Sequence, residues 1–297
     1  MRTHLTLRRL AVVLAATACV AATTSCSGSD DSSGSSGSGT PASSSAKEPD
    51  SYLALGDSVP FGYRAGAADA YSDPKNFVGY PQLVGDELGL DVINAACPGE
   101  TTTSFLDAKG QSNGCENSVT SPFGYRTAYP LHVQYDSPDQ SQLNLAVKTL
   151  KDNDNVKLVT VQIGANDGFV CQQTTPDKCT NFAELQGVAE TVQNNVDQIL
   201  KTLRKDAGYD GQIVVVTYYA LNYSDPTGQA TKLLDDRIAS AALANGAEVA
   251  DGFAVFQPTA TASGGDSTAA GLVLPNDVHP TEQGQKLLAQ AVLDLVE

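Results

Sequence analysis

Short runs of consecutive apolar residues constrain the fold of this chain more than any other feature. The segments KLVTVQIG (157–164) and QIVVVTYY (212–219) lack polar alternation, as strands that are buried on both faces do. Strands are predicted over 52–56, 92–96, 158–163, 213–218 and 248–256, and helices near 80–88, 140–151, 182–205, 229–244 and 281–295. This alternation predicts an α/β fold, a single doubly wound domain of three layers with a five-stranded parallel sheet of flavodoxin-like order.

The first 47 residues differ in character from the rest. Residues 1–25 combine a basic start, an apolar stretch too short to span a bilayer and small residues before Cys26, which predicts a signal peptide for export. The small residues followed by Cys26 resemble a bacterial lipobox, although Thr23 stands where an aliphatic residue is commoner. Cys26 is the predicted lipidation site of an envelope lipoprotein, and cleavage elsewhere, giving a secreted protein, stays open. Residues 26–47 are rich in Ser and Gly and predict a disordered tether before a folded domain over 48–297.

Charge limits the partners of this chain. The formal net charge is −16, and such a chain repels phosphate backbones and anionic headgroups. Nucleic acid is therefore not an expected partner, and a monomer is expected. Because no second apolar stretch approaches membrane-spanning length, membrane attachment is expected only through a lipid on Cys26.

Four cysteines fall in the predicted domain, namely Cys97, Cys115, Cys171 and Cys179. An even number in an exported chain predicts disulfides, for which three pairings are possible. Proximity along the chain favours Cys97–Cys115 and Cys171–Cys179. A zinc site is the competing interpretation, although the chain has no C-x-x-C spacing.

Small and polar residues lie where the predicted strands end. Ser58 follows the first strand, Gly99 the second and the segment GAND (164–167) the third, while His279 precedes the last helix. Function gathers at this carboxyl edge of a parallel sheet. A nucleophilic serine needs a base and donors for an oxyanion, and His279, followed by Pro280, is the predicted base. His132 lies in an irregular stretch and is expected to be structural or to contact substrate.

In this order the residues resemble the motif blocks of the SGNH hydrolases, also called the GDSL esterase and lipase family. The resemblance covers residues 52–284 and implies that family's flavodoxin-like fold and a serine esterase that forms an acyl-enzyme. Because the sequence has no metal-ligand cluster, phosphate-cradling loop or dinucleotide fingerprint, no cofactor or metal is expected. It implies that Ser58 is the nucleophile and His279 the general base, with Gly99 and Asn166 in the oxyanion hole. The expected substrate is a small ester, a lipid ester or an acylated carbohydrate. Asp57 is expected to stabilise the loop.

One position departs from the family pattern. The family has an aspartate three residues before the histidine, where this chain has Asn276, and Asp277 follows one residue later. Asp277 could reach His279 through a local distortion, a backbone carbonyl could hold the ring and leave a Ser58–His279 dyad, or the site could be weakened. The dyad is favoured. Asn276 also favours the alternative function, a non-catalytic envelope lipoprotein that uses the same edge as a ligand-binding module.

Two further motifs are predicted to be structural. GQSNG (110–114) matches G-x-S-x-G, but no predicted strand precedes it and no helix follows it, so Ser112 is not the expected nucleophile. The pair Asp235 and Asp236 lies on a helical pattern near basic residues and predicts a solvated face, so glycoside hydrolysis has no support. The long stretch 100–137 is expected to shape the substrate pocket and carries the aromatic residues Phe105, Phe123, Tyr125, Tyr129 and Tyr135.

Overall fold

The computed structural model describes residues 49–66 and 68–296, so the predicted signal, the tether and Cys26 lie outside the described residues. The strands are β1 (Ser51–Gly56), β2 (Asp91–Asn94), β3 (Val156–Gln162), β4 (Gln212–Val216) and β5 (Glu248–Ala250). The α-helices are α1 (Ser58–Phe61), α2 (Tyr80–Leu88), α3 (Thr102–Leu106), α4 (Tyr125–Ala128), α5 (Gln142–Asp152), α6 (Ala165–Thr174), α7 (Phe182–Lys205), α8 (Pro226–Ala244), α9 (Gly252–Ala262) and α10 (Glu282–Leu293). Two short 3-10 helices, Ala68–Ala70 and Pro74–Asn76, lie between α1 and α2.

The five strands form one parallel sheet in the order β2-β1-β3-β4-β5, which confirms the predicted flavodoxin-like arrangement. In its register Leu53 lies beside Ile93 on one side and Val159 on the other, and Val159 lies beside Ile213. All six residues of β1 are buried, so both faces of the central strand are covered. Consecutive apolar residues in the strands are therefore explained by burial between two layers of helices.

The helices pack in two groups. Helices α2 and α9 contact α10, while α5, α6 and α8 contact α7. The buried residues of α7 recur at helical spacing and are Ala189, Val192, Val196, Ile199, Leu200 and Leu203. Asn181 begins this helix, since its side-chain oxygen accepts a hydrogen bond from the Ala183 N–H at 2.9 Å.

The predicted strand over 248–256 is wrong beyond Ala250. Asp251 ends the strand by capping α9, and its Oδ1 accepts from the Ala254 N–H at 2.9 Å. Phe256 is fully buried, as the apolar run suggests, but it is buried as a helical residue. A short apolar run does not distinguish a strand from a buried helix, and here the N-cap decides between them.

The predicted solvated face at Asp235 and Asp236 is also wrong for one of the two residues. Asp236 is exposed, but Asp235 is buried and its Oδ1 accepts from the Tyr218 N–H at 2.9 Å. Burial raises the pKa of Asp235 well above its ordinary value. Consecutive residues on an α-helix lie about 100° apart around its axis, so a pair of adjacent acids does not share one face.

Both disulfide pairings favoured by proximity are present. Cys97 is bonded to Cys115, and Cys171 is bonded to Cys179. The four sulfurs are therefore not free thiolate ligands for zinc. Across 49–66 and 68–296, no helix combines the length and the apolar character needed to cross a bilayer.

Candidate active site

The end of β1 brings Ser58 to the carboxyl edge of the sheet. Gly56 has φ 138°, and a Cβ there would lie 2.0 Å from the Gln162 carbonyl oxygen, so a side chain is not accommodated. Asp57 then caps α1, because its Oδ1 accepts from the Val59 N–H at 3.0 Å. Ser58 is the first residue of this short helix and lies directly beyond the sheet.

His279 contacts Ser58 across the edge of the sheet. Its Nε2 lies 2.9 Å from Ser58 Oγ, and its Nδ1 lies 2.5 Å from Asp277 Oδ1. An ionised carboxylate only accepts hydrogen bonds, so Nδ1 carries the proton and Nε2 is free to accept from the serine hydroxyl. The His279 side chain is 10% exposed and is held between its two partners.

The Asp277 carboxylate that contacts the imidazole follows a left-handed residue and is held by backbone donors. Asn276 has φ 57°, a conformation that asparagine adopts more readily than most residues. The Asp277 carboxylate also accepts from the Val278 N–H at 2.7 Å and the Ala65 N–H at 2.9 Å. Burial would raise the pKa of Asp277, but the hydrogen bonds from His279 and Ala65 and the charge of His279 lower it to about 2.

The preference for a Ser58–His279 dyad held by a backbone carbonyl is therefore corrected. The first of the three outcomes, a local distortion that brings Asp277 to His279, describes the structure. The carboxylate two residues before the histidine reaches Nδ1 directly, so an acid at the third position before the histidine is not needed to hold the ring.

A cavity of about 410 Å³ in front of Ser58 brings the other predicted residues together, since Gly99, Asn166 and His279 all line it. Gly99 has φ 85°, and a Cβ there would lie 2.7 Å from the Gly114 backbone. Glycine thus permits the loop that follows β2 to pass close to its neighbour. The four residues predicted at strand ends and before the last helix therefore lie around one cavity, namely Ser58, Gly99, Asn166 and His279.

The side-chain amide of Asn166 has a defined orientation. Its Oδ1 accepts from Asn113 Nδ2 at 2.8 Å, and its Nδ2 donates to Asp57 Oδ2 at 3.3 Å. The same carboxylate oxygen accepts from the Tyr218 hydroxyl at 2.5 Å. A primary amide has two N–H groups, so one remains for a ligand in the cavity.

Asp57 supplies the negative end of this chain of hydrogen bonds. Burial raises its pKa to about 6, against the lowering effects of hydrogen bonds from Tyr218 and Val59. Asp57 is therefore ionised at neutral pH and can only accept, which directs the amide nitrogen of Asn166 towards it. This contact agrees with the expectation that Asp57 stabilises the loop.

Three residues beside the site do not follow from the sequence reasoning. Tyr63 packs edge-on against His279 with 4.9 Å between ring centroids, Asn113 orients Asn166, and Tyr218 contacts Asp57. Tyr218 could have been found, because it lies just past β4 at the same edge of the sheet. Asn113 belongs to the GQSNG motif, and only the fold shows that its side chain reaches Asn166.

Ser112 and His132 have structural contacts. Ser112 is fully buried and its Oγ donates to the Asn117 carbonyl oxygen at 2.5 Å. The His132 ring packs on Phe61 with 4.7 Å between centroids, and its Nε2 lies 3.1 Å from the Phe61 carbonyl oxygen. Burial lowers the pKa of His132. Neither side chain contacts the Ser58–His279 pair.

The aromatic residues of 100–137 have different positions. Tyr125 lines the cavity in front of Ser58, while Phe105 is fully buried in α3. The Tyr135 hydroxyl donates to the Ala95 carbonyl oxygen at 2.8 Å. Tyr129 and Phe123 are 42% and 68% exposed. Of the five aromatic residues only Tyr125 lines the cavity, but Asn113 and Gly114 of the same stretch line it too, which agrees with the expectation that residues 100–137 shape the pocket.

Solved structures with the same fold include several ester hydrolases. A lipase from a goat rumen metagenome has a TM-score of 0.54 and 15% sequence identity, covering 82% of this chain and 96% of the lipase. Phospholipase A1 from Streptomyces albidoflavus has a TM-score of 0.52 and 21% identity, covering 83% of this chain and 99% of its own. Axe2, an acetylxylan esterase from Geobacillus stearothermophilus, has a TM-score of 0.50 and 17% identity, covering 82% of this chain and 93% of Axe2. At these identities the likeness concerns the fold.

Sequence comparison identifies the family. No curated protein sequence matches the chain. The model of the GDSL-like lipase/acylhydrolase family matches residues 54–287, a segment that contains Ser58, Gly99, Asn166 and His279. Since the match covers most of the 297 residues, the chain belongs to the GDSL-like lipase/acylhydrolase family.

Proposed function

We propose that this protein hydrolyses carboxylic esters with Ser58 as nucleophile, His279 as general base and acid, and Asp277 as the residue that orients His279. The oxyanion formed in the reaction is bound by the backbone N–H groups of Ser58 and Gly99 and by the side-chain amide of Asn166. One observation carries the proposal: the continuous contact from Ser58 Oγ to His279 Nε2 at 2.9 Å and from His279 Nδ1 to Asp277 Oδ1 at 2.5 Å.

In the first half-reaction, Ser58 Oγ gives its proton to His279 Nε2 and forms a bond to the carbonyl carbon of the ester. The carbonyl oxygen becomes an oxyanion that accepts from the three donors. The intermediate then breaks its bond to the alcohol oxygen, which takes the proton from His279 Nε2 and leaves. Asp277 stabilises the imidazolium that exists between these two proton transfers.

In the second half-reaction, water takes the place of the alcohol beside His279. His279 Nε2 accepts a proton from the water, and the water oxygen bonds to the acyl carbon. The ester bond to Ser58 Oγ breaks, and the serine oxygen recovers a proton from His279. The products are a carboxylic acid and an alcohol, and the site returns to its starting state.

The competing function, a non-catalytic binding module, depends on the absence of an acid at residue 276. The contact of Asp277 with His279 removes that argument, because the imidazole has a carboxylate partner one residue later than the family pattern places it. The residues proposed as oxyanion donors, Ser58, Gly99 and Asn166, line the same cavity, and a binding module has no need of a base beside that serine. Ester hydrolysis is the better supported function.

The test is hydrolysis of p-nitrophenyl acetate by the full chain, by Ser58→Ala and by Ser112→Ala. Ser58→Ala is expected to lose turnover, and Ser112→Ala is expected to keep it if the buried serine leaves the fold intact. Circular dichroism and the melting temperature verify that each variant is folded. A folded wild type without turnover, with Ser58→Ala still binding esters, would instead support the binding module.

We infer that the protein is exported. The two disulfides are compatible with an oxidising compartment. The signal over 1–25 and lipid attachment at Cys26 remain predictions, as does a monomeric state. Mass spectrometry of the N terminus of the mature protein, purified from both the membrane fraction and the culture medium of the exporting cells, distinguishes a lipid-modified Cys26 from cleavage at another residue.

A further inference from the structure

A second cavity also begins at Ser58 and His279 and extends between helices α6, α7 and α8. Its volume is about 440 Å³, and we call it the inter-helix cavity. Helix α7 contributes Leu185, Val188 and Ala189 to its wall, and α8 contributes Ala230, Thr231 and Leu234. Both cavities are lined by Asn166 and Gln172 near Ser58, and each has two tyrosines in its wall, but only the first is also lined by the amide side chains of Asn113 and Gln173. We call that one the polar cavity.

The wall of the inter-helix cavity near α6 is held by a disulfide. Lys178, Cys179 and Thr180 line it, and Cys179 is bonded to Cys171 at the other side of this short loop. The Cys179 N–H donates to Thr175 Oγ1 at 2.7 Å, which fixes the loop further. These bonds hold the wall in position before a ligand binds, so the wall loses little conformational entropy on binding.

Ser58 and His279 border both cavities, so an ester bound at Ser58 can place one arm in each. The order of the reaction decides which arm belongs where. The alcohol leaves first, and water must replace it beside His279 while the acyl arm stays attached to Ser58. Water enters the polar cavity, which Asn113 and Gln173 line, more readily than the part of the inter-helix cavity that Leu185, Val188 and Leu234 line.

We propose that the inter-helix cavity binds the acyl chain of a medium-chain ester, while the polar cavity binds a polar alcohol and admits the water that replaces it. This assignment rests on the proposed esterase function and adds the substrate class. Burial of one methylene contributes about 0.8 kcal/mol, so each carbon that enters the cavity is expected to raise kcat/KM about fourfold until the cavity is filled.

Two isomeric esters test the assignment. Ethyl octanoate carries its long chain on the acyl side and octyl acetate carries it on the alcohol side, and both have the same composition. We expect the full chain to hydrolyse ethyl octanoate at least tenfold faster in kcat/KM than octyl acetate. A preference for octyl acetate would overturn the proposal, as would equal rates for the two isomers.

Substitution in the cavity wall identifies the place where the chain binds. In Ala230→Trp the indole occupies the cavity, and the ratio of kcat/KM for ethyl octanoate to that for ethyl acetate is expected to fall at least tenfold. Thr231→Phe provides a second variant if the first does not fold. The control is Ala244→Trp, because Ala244 is exposed at the other end of α8 and is expected to leave the ratio at the wild-type value.

The outcomes separate this proposal from the proposed function. If the wild type hydrolyses p-nitrophenyl acetate but the ratio is insensitive to both cavity variants, the acyl-chain assignment is wrong and the esterase function stands. If the folded wild type hydrolyses none of these esters, the esterase function is wrong and the acyl-chain assignment falls with it.

Discussion

Replacing Asp277 by asparagine is expected to lower kcat/KM for p-nitrophenyl acetate about a thousandfold. The carboxylate and the imidazolium of His279 attract each other during the reaction, and asparagine removes one of these two charges. With about 4 Å between charge centres and an effective dielectric constant of about 20, the attraction is about 4 kcal/mol. Each 1.36 kcal/mol in the barrier changes the rate tenfold, so the loss corresponds to about three powers of ten.

The contacts of the carboxylate show why an amide is a poor replacement. Oδ1 accepts from His279 Nδ1 and the Val278 N–H, and Oδ2 accepts from the Ala65 N–H. An asparagine in one orientation directs its NH₂ group towards the Ala65 N–H, where two donors face each other. In the flipped orientation the NH₂ group faces His279 Nδ1 and shifts the imidazole proton to Nε2. The protonated Nε2 then cannot accept a hydrogen bond from Ser58 Oγ.

The assay is steady-state hydrolysis at pH 8, with Asp154→Asn as the matched control. Asp154 is exposed and precedes β3, so it lies at the amino ends of the strands, away from the site. Asp154→Asn is expected to have wild-type kcat/KM. If Asp277→Asn is folded and retains more than a third of the wild-type kcat/KM, another group holds His279 and the reasoning from Asp277 is refuted.

Three other variants test the remaining parts of the account. Asn166→Ala removes one oxyanion donor and is expected to reduce kcat about 10²–10³-fold in a steady-state assay, and a loss below threefold would exclude the amide from the oxyanion hole. The double variant Cys171→Ala/Cys179→Ala is expected to lower the free energy of unfolding by about 2.5 kcal/mol, the chain-entropy value for a loop of this length, and unchanged urea unfolding would contradict this. Burial raises the pKa of Asp167 from 3.8 to about 6, so its stabilising contribution is present below about pH 4 and is lost as the pH rises to about 6. Between about pH 4 and about pH 6, Asp167 is expected to lower the unfolding free energy of the wild type by about 3 kcal/mol. Urea unfolding of Asp167→Asn should show a pH dependence that lacks this contribution, and an unaltered pH dependence would show that Asp167 has its ordinary pKa.

Much of the fold can be predicted because burial leaves a simple pattern. The runs that form β3 and β4 are long, apolar and rich in β-branched residues, and their predicted bounds agree with the structure within about two residues. The run after β5 is different, because its residues from Gly252 onward form the start of a buried helix. The cap that Asp251 provides is the local feature that separates the two states.

The site likewise divides into residues that a pattern predicts and contacts that depend on backbone geometry. Ser58, Gly99, Asn166 and His279 can be predicted because each lies at a strand end or before the last helix, and the parallel sheet brings those ends to one edge. The contact between Asp277 and His279 could not be predicted, because it depends on the backbone and side-chain torsions from Asp277 to His279, which the residue types do not specify. The burial of Asp235 depends on which way α8 faces, and an acid pair alone carries no such information.

The most direct test of the central claim is the position of covalent labelling by a fluorophosphonate, read by peptide mass spectrometry of the full chain. A serine activated by an adjacent base and facing an oxyanion site displaces fluoride from phosphorus, and the proton passes to the base. We expect one label per molecule, on the peptide that contains Ser58, and none in folded Ser58→Ala. Labelling at Ser112, or no labelling of the folded wild type, would contradict the assignment of Ser58 as the nucleophile.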